Sequence, residues 1–208
     1  MDAAHEPTLH AVVLAAGASR RFGSPKQLVR LHGRPMLHAA VSRAVEVAGH
    51  SVTVVLGAHA AELAALLKHS PAAVAINRNW QDGLASSVRT GIASVPGSVD
   101  AVLLMLADQP SVSAEDLRRL ASLWRRQSGN PAAASYAGSA GVPAIFPREF
   151  FRDLSELRGD RGAKQILLRY PDRVQRVAMP SAAIDIDTPR RPAQHSRYGA
   201  RSRAITMV

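Results

Sequence analysis

A short turn after the first apolar run of the chain combines glycines, small side chains and basic residues. The apolar run, residues 11–15, has the composition of a strand that is buried on both faces of a parallel sheet. Gly17 and Gly23 follow it, and the basic residues of the turn are Arg20, Arg21 and Lys26. Small residues let backbone N–H groups approach an anion, and the basic side chains supply the opposite charge. The turn is therefore predicted to bind a polyphosphate; the alternative is a turn that only connects a strand to a helix.

Two common phosphate-binding loops are excluded by spacing. A Walker A loop has four residues between its first glycine and a Gly-Lys-Ser/Thr triplet, whereas five residues separate Gly17 from Gly23 here and Lys26 follows Ser24-Pro25. The dinucleotide fingerprint G-x-G-x-x-G is also absent, because residue 19 is serine and residue 22 is phenylalanine.

A carboxylate follows the most apolar run of the chain. Residues 101–106 have the composition of a central strand, and Asp108 comes just after them. A carboxylate is a hard oxygen ligand that suits Mg²⁺ beside substrate phosphates. The alternative is an aspartate that caps a turn or helix before Pro110.

Two further carboxylates, Asp185 and Asp187, alternate with isoleucines in residues 184–188, which predict a strand. On a strand both carboxylates point to the same face. One Mg²⁺ usually takes one or two protein carboxylates, so Asp108 with one of this pair would suffice. The alternative is that the two acids cap the turn at Thr188.

Strands and helices alternate through the first part of the chain. Strands are predicted at residues 11–15, 51–56, 72–76 and 101–106, and helices at 35–47, 60–68, 84–92 and from 113 or 115 to 126. This order predicts a doubly wound, largely parallel sheet, whose ligands bind at the carboxyl ends of the strands. The basic turn, residues 79–83 and Asp108 should therefore meet at one edge.

Beyond residue 130 the pattern changes to a smaller α+β portion. A hairpin is predicted over residues 131–146, short helices over 150–157 and 162–169, and a strand over 173–177.

The stretch LAAGASRRFGSPKQL resembles the signature LAAG-x-S-x-R-x-G-x-x-K of nucleotidyltransferases with a GT-A-like Rossmann fold. It is most similar to the molybdenum cofactor cytidylyl- and guanylyltransferases (MobA-like NTP transferases). The resemblance implies an α/β fold of three layers, with a mostly parallel sheet and a small α+β acceptor-side portion. It also implies that Arg21, Lys26 and Asp108 are catalytic.

The same resemblance assigns the remaining site residues. Nucleotide-binding positions are Leu14, Ala15, Ala16, Gly17, Arg21, Lys26, Asp82, Gly83 and Ser86. The Mg²⁺ ligands are Asp108 and Asp187, and the acceptor-side positions are Gly141, Asp160, Arg161 and Asp185. For Asp82 and the serines, the alternative is the capped start of a helix.

The implied activity is Mg²⁺-dependent transfer of a nucleoside monophosphate from an NTP to a phosphate acceptor, with release of pyrophosphate. CTP is favoured because cytidylyl members tend to have LAAG where guanylyl members have LAGG. The implied acceptor is molybdopterin or molybdenum cofactor, with a molybdoenzyme or its maturation chaperone as a further partner. The alternatives are a sugar phosphate or another small phosphate acceptor, and a non-catalytic nucleotide-binding regulator.

Length and composition bound these expectations. The 208 residues predict one nucleotidyltransferase domain, residues 1–189, with a nucleotide-binding half (about 9–127), an acceptor-binding half (about 128–189) and a basic, flexible tail at 190–208. The net charge is +10, and five of the arginines lie in the tail rather than in the domain. Because the remaining charge is spread along the domain and the aromatic content is only 4%, nucleic acid is not favoured as a partner. The absence of cysteine fits a cytoplasmic protein, and neither an export signal nor a membrane-spanning run is predicted.

Overall fold

The computed structural model of this protein describes residues 6–19 and 23–185. The strands in these ranges are β1 (Leu9–Ala15), β2 (Arg30–Leu31), β3 (Arg34–Pro35), β4 (Val52–Leu56), β5 (Ala73–Ile76), β6 (Ala101–Leu106), β7 (Ala132–Tyr136), β8 (Ser139–Pro147) and β9 (Gln175–Ala178). The α-helices are α1 (Met36–Ala48), α2 (Ala60–Leu66), α3 (Leu84–Ala93), α4 (Ala114–Arg126), α5 (Phe151–Ser155) and α6 (Lys164–Arg169).

Seven of these strands form one sheet in the order β5-β4-β1-β6-β8-β7-β9. β1 lies parallel to both β4 and β6, and β7 lies parallel to β9. β8 is antiparallel to β6 and β7, which confirms the predicted hairpin. The sheet is therefore mostly parallel, as expected, and it continues across the boundary predicted between the two halves.

Helices cover both faces of this sheet because its central strands are apolar on both sides. Alternate residues of β1 belong to opposite core clusters, with Val13 in one and Val12 in the other. The first cluster includes residues of α1, α2 and α4, and the second includes residues of α3, α5 and α6. The result is the predicted three-layer arrangement.

Local signals set the helix bounds. The Ser113 side chain accepts a hydrogen bond from the Asp116 N–H, and the Asp116 carboxylate accepts one from the Ser113 N–H, so this capping box starts α4 at Ala114. α1 begins directly after Pro35 and ends at Ala48, with Gly49 as its C-cap. No helix in the described ranges is long and apolar enough to cross a membrane.

One predicted element differs in the structure. Residues 184–188 were expected to form a strand, but Ile184 and Asp185 lie in no strand, and residues 186–188 fall outside the described ranges. A 3₁₀ turn at Pro180–Ala183 leads into them, and Ile184 is 52% exposed. Among the described residues, no strand pairs with this segment. The predictions for Arg21, Asp187 and the 190–208 tail also lie outside the described residues.

Candidate active site

The carboxyl ends of the parallel strands bring the predicted residues to one edge of the sheet. Two adjoining cavities open there. The loop cavity, of about 460 Å³, is lined by Ala16, Gly17, Ala18, Ser19, Trp80, Gln81, Gly83, Leu84, Ser87 and Asp160. The aspartate cavity, of about 230 Å³, is lined by Leu14, Ala15, Gly17, Lys26, Gln27, Leu84, Ser87, Leu106, Ala107 and Asp108. The two share Gly17, Leu84 and Ser87, so one extended ligand could occupy both.

A larger groove, of about 610 Å³, lies between α4 and β9. It is lined by none of the residues predicted to bind nucleotide, metal or acceptor. The predicted chemistry therefore coincides with the smaller pair of cavities.

The turn after β1, residues 16–19, is fixed by hydrogen bonds that the carbonyl groups of residues 15–17 accept. The Gln27 side-chain amide donates to the carbonyls of Ala15 and Gly17, at 3.0 Å each. The Ala58 N–H donates to the carbonyl of Ala16 at 3.0 Å. Because C=O and N–H point in opposite directions across a trans peptide, the N–H groups of Gly17 and Ala18 point away from these donors. Both residues line the loop cavity, which suits an anion there.

Gly57 allows this close approach of the 16–19 loop to the end of β4. A Cβ at position 57 would lie 2.8 Å from the Ala16 carbonyl oxygen, 2.9 Å from the Ala16 Cβ and 2.6 Å from the Trp80 Cβ. The Ala16 methyl group therefore lies beside Gly57, and both Ala16 and Trp80 line the loop cavity.

The two side chains of the predicted phosphate and metal sites are in direct contact. Lys26 Nζ lies 2.5 Å from Asp108 Oδ2, and the side chains are 18% and 21% exposed. The other oxygen, Asp108 Oδ1, is buried and has no hydrogen-bond partner among the residues that the structure describes. A buried carboxylate oxygen without a donor is costly, and a divalent cation would satisfy it.

Asp108 is the only member of the predicted metal pair that lies within the described ranges. In those ranges no three or more His, Cys, Asp or Glu side chains cluster in a way that could hold a metal ion. Mg²⁺ usually takes one or two protein carboxylates beside substrate phosphates and water, so Asp108 supplies one of them, and the other predicted ligand, Asp187, lies outside the described residues.

Two residues predicted to bind the nucleotide lie outside the cavities. Ser86 is 2% exposed; its hydroxyl donates to the Gly83 carbonyl at 2.8 Å and accepts from Asn77 Nδ2 at 2.8 Å. The neighbouring Ser87 accepts from the same Asn77 nitrogen at 3.0 Å and lines both cavities. Asp82 lines neither cavity, and it does not cap α3, because the N-cap residue is Gly83 and makes no side-chain capping bond.

Asp160, predicted on the acceptor side, instead lines the loop cavity. A Cβ at Gly83 would lie 2.5 Å from Asp160 Oδ1 and 2.5 Å from the Gly159 carbonyl oxygen, which accepts a hydrogen bond from the Ala85 N–H at 3.0 Å. The 159–162 segment thus packs on the start of α3. Arg161 faces a different cavity, beside α5 and α6.

Gly141 and Asp185, predicted on the acceptor side, each lie near Tyr136, the last residue of β7. A Cβ at Gly141 would meet the Tyr136 hydroxyl at 2.5 Å, and this hydroxyl donates to the Val142 carbonyl at 3.0 Å. Burial raises the pKa of Tyr136, and the nearby charge of Asp185 raises that pKa further. Both acceptor-side positions are therefore close to Tyr136, which the sequence patterns did not single out.

Gln27 and Gln109 are the other residues that the sequence patterns did not identify. Both are 2% exposed. Gln109 Nε2 donates to the carbonyls of Val142 at 3.0 Å and Ala182 at 2.8 Å, so it connects the Asp108 turn to the acceptor side. Their only sequence signal is position, since each directly follows a predicted site residue.

The chain matches the model of the MobA-like NTP transferase domain over residues 11–174. A nicotine blue oxidoreductase of Paenarthrobacter nicotinovorans is 30% identical to it over 88% of this chain and 93% of that protein. Among solved structures, Rv0371c of Mycobacterium tuberculosis H37Rv matches with a TM-score of 0.76 at 30% identity, over 88% of this chain and 94% of that one. A complex of Rv0371c with manganese matches with a TM-score of 0.70 at 27% identity, over 83% and 89% of the two chains.

Proposed function

We propose that this chain, which belongs to the MobA-like NTP transferase family and is a nucleotidyltransferase, transfers CMP from CTP to the phosphate group of molybdopterin or molybdenum cofactor. The observation that carries the proposal is the contact between Lys26 and Asp108 beside the 16–19 loop. A cation and a metal-binding carboxylate next to outward-facing amides are what a metal–triphosphate complex requires.

In the proposed reaction an oxygen of the acceptor phosphate attacks the α-phosphorus of CTP in line. The bond between the α-phosphorus and the bridging oxygen of the β-phosphate breaks, and pyrophosphate leaves with that electron pair. No protein nucleophile is needed, because positioning and charge neutralisation are the main contributions to such transfers. The amides of the 16–19 loop, Lys26 and Arg21 would hold the triphosphate and stabilise the leaving pyrophosphate.

Mg²⁺ is the proposed metal, held by Asp108 and Asp187. The fit rests on the unpartnered Asp108 Oδ1, and the manganese complex of Rv0371c supports a divalent cation in a related chain. When bound, the cation would neutralise phosphate charge. Asp108 would orient the triphosphate towards the acceptor side, to which Gln109 connects it.

The preference for CTP is proposed from the wall of the loop cavity. The Ala16 methyl group and the Trp80 Cβ both lie next to Gly57, and the methyl group would narrow the space beside the end of β1. A pyrimidine tolerates this better than a purine. Discrimination by a methyl group is typically about 1–3 kcal/mol. The cytoplasm is the proposed location, supported by the absence of cysteine.

The test is release of pyrophosphate from each of the four NTPs, with molybdopterin as acceptor and Mg²⁺ present. Turnover with CTP is expected, and it should be lost in Asp108→Asn. The control is Asp172→Asn, a substitution at an exposed aspartate, which should keep the turnover of the wild type. Equal use of CTP and GTP would contradict the base assignment. Undiminished turnover in Asp108→Asn would remove Asp108 from the metal site, and no turnover with any NTP would contradict the molybdopterin acceptor.

A further inference from the structure

Gln27 is a buried polar residue whose side-chain hydrogen bonds, within the described part of the chain, all go to residues 15, 17 and 19. It is 2% exposed. Its Nε2 donates to the carbonyls of Ala15 and Gly17, and its Oε1 accepts from the Ser19 hydroxyl at 3.3 Å. Both neighbours of Nε2 are carbonyl oxygens, which only accept, so the orientation of the side-chain amide follows from its partners.

We infer that Gln27 is a positioning residue, which turns the amides of the 16–19 loop towards the triphosphate and fixes Lys26 beside them. The inference rests on the proposed function, because it requires a nucleoside triphosphate in these cavities. Gln27 itself need not touch the nucleotide.

The first part of the argument is the direction of the peptide groups. A free glycine-rich turn can rotate its peptides, so that carbonyl oxygens as well as N–H groups face the cavity. A carbonyl oxygen facing a phosphate is repulsive. By binding the carbonyls on either side of residue 16, Gln27 holds two of the peptide groups with their N–H groups on the opposite side. Both N–H groups of its amide are used in this way.

The second part concerns Lys26. The Lys26 N–H donates to the Ser19 hydroxyl at 3.1 Å, and this hydroxyl donates in turn to Gln27 Oε1. Gln27 and Lys26 are neighbours in the 3₁₀ turn Lys26–Leu28. One small network therefore determines the position of the loop and that of the backbone from which the ammonium group extends.

A purely structural role for Gln27 predicts a different result. If the residue only stabilised the fold, its loss would lower the affinity for CTP and for CMP by the same factor. If it orients the loop, its loss should lower the affinity for CTP more than that for CMP, because CTP has two more phosphates that can contact the loop. The ratio of CTP to CMP affinity therefore separates the two roles, whereas melting temperature alone does not.

The experiment measures the binding of CTP and of CMP to the full chain by calorimetry, with Mg²⁺ present. Gln27→Met keeps size and charge but removes every hydrogen bond. CTP affinity should fall roughly tenfold to a hundredfold, the value of one or two phosphate contacts, and CMP affinity by less than about threefold.

The matched control is Arg148→Met. Arg148 also bridges two carbonyls with its side chain, those of Val99 at 2.7 Å and Pro96 at 2.8 Å, but just before β6, at the opposite edge of the sheet. This variant should lose stability and keep the wild-type ratio of CTP to CMP affinity.

An unchanged ratio in Gln27→Met would overturn the inference, as would a changed ratio in Arg148→Met. If Gln27→Met does not fold, Gln27→Asn tests the same position more mildly, because its shorter amide cannot reach both carbonyls; a lower CTP-to-CMP ratio supports the inference and an unchanged one overturns it. If the wild-type chain binds neither CTP nor any other NTP, the proposed function fails instead, which is a distinguishable outcome.

Discussion

Replacing Lys26 by methionine should have opposite effects on metal binding and on nucleotide binding. In the structure the ammonium group lies 2.5 Å from Asp108 Oδ2, and both side chains are about four-fifths buried. A cation that binds Asp108 must therefore compete with Lys26. A triphosphate, in contrast, needs Lys26 as a partner. Methionine has a similar length and no charge. The variant therefore removes the group that competes with the cation for Asp108 and also the group that binds the triphosphate.

The magnitudes follow from the strength of a hydrogen bond between charged groups. Such a bond contributes about 1.5–3 kcal/mol, and each 1.4 kcal/mol is a factor of ten. In Lys26→Met, the affinity for Mn²⁺ in the absence of nucleotide should rise roughly tenfold to a hundredfold. The affinity for CTP should fall by a similar factor. A general loss of structure would lower both affinities.

The assay is paramagnetic resonance of free Mn²⁺ during titration of the protein, followed by calorimetric titration with CTP. Lys68→Met is the matched control, because Lys68 is exposed and lines neither cavity; both of its affinities should equal those of the wild type. A Lys26→Met variant that binds Mn²⁺ no better than the wild type would refute the reasoning, since Asp108 would then be either no metal ligand or not held by Lys26.

Three other predictions concern single residues. Gly83→Ala should be less stable by about 1–3 kcal/mol, because φ is +91° and the new Cβ would lie 2.5 Å from Asp160 Oδ1; an unaltered denaturant midpoint would contradict this. Ala16→Gly should lower the CTP-to-GTP ratio in pyrophosphate release, and an unchanged ratio would exclude the methyl group as the cause. Burial lowers the pKa of His10 below its ordinary 6.5, so the unfolded chain binds this proton more tightly. The free energy of unfolding of the wild type relative to His10→Gln should therefore be constant above pH 6.5 and decrease below it, by at most about 1.4 kcal/mol per pH unit. Denaturant titrations at pH 7.5 and 5.5 measure it, and a difference that does not change with pH would contradict the prediction.

Much of the fold follows from local patterns. Strands β1, β4, β5 and β6 and helices α1, α3 and α4 were predicted to within a residue or two, because each is an apolar run or an amphipathic segment bounded by proline, glycine or a capping serine. The hairpin of β7 and β8 was also predicted. The strand expected at residues 184–188 was wrong at Ile184 and Asp185, since alternation shows which side chains could share a face but not whether a partner strand is present.

The meeting of the 16–19 loop with Asp108 was also predictable from the sequence, because parallel strands with right-handed crossovers end at one edge. Lys26 and Asp108 were both identified, although their contact across 82 positions was not. Other parts of the site depend on exact packing. Ser87 rather than Ser86 lines the cavities. Which of the two does so depends on the rotation of α3 about its axis, and two adjacent serines in a sequence do not indicate that rotation.

Only the tertiary structure placed Asp160 and Gln27. Asp160 reaches the loop cavity because Gly83 and Gly162 lack the Cβ atoms that would separate the 159–162 segment from α3. Gln27 donates to backbone carbonyls ten and twelve positions away. Because every residue has the same backbone carbonyl, the sequence does not show which of them a side chain binds. The residue types and the strand order determined which chemistry could occur and at which edge of the sheet. The direction of peptide groups and the close contacts between distant segments arise only when the chain is packed, because they depend on distances of a few ångströms that no local pattern specifies.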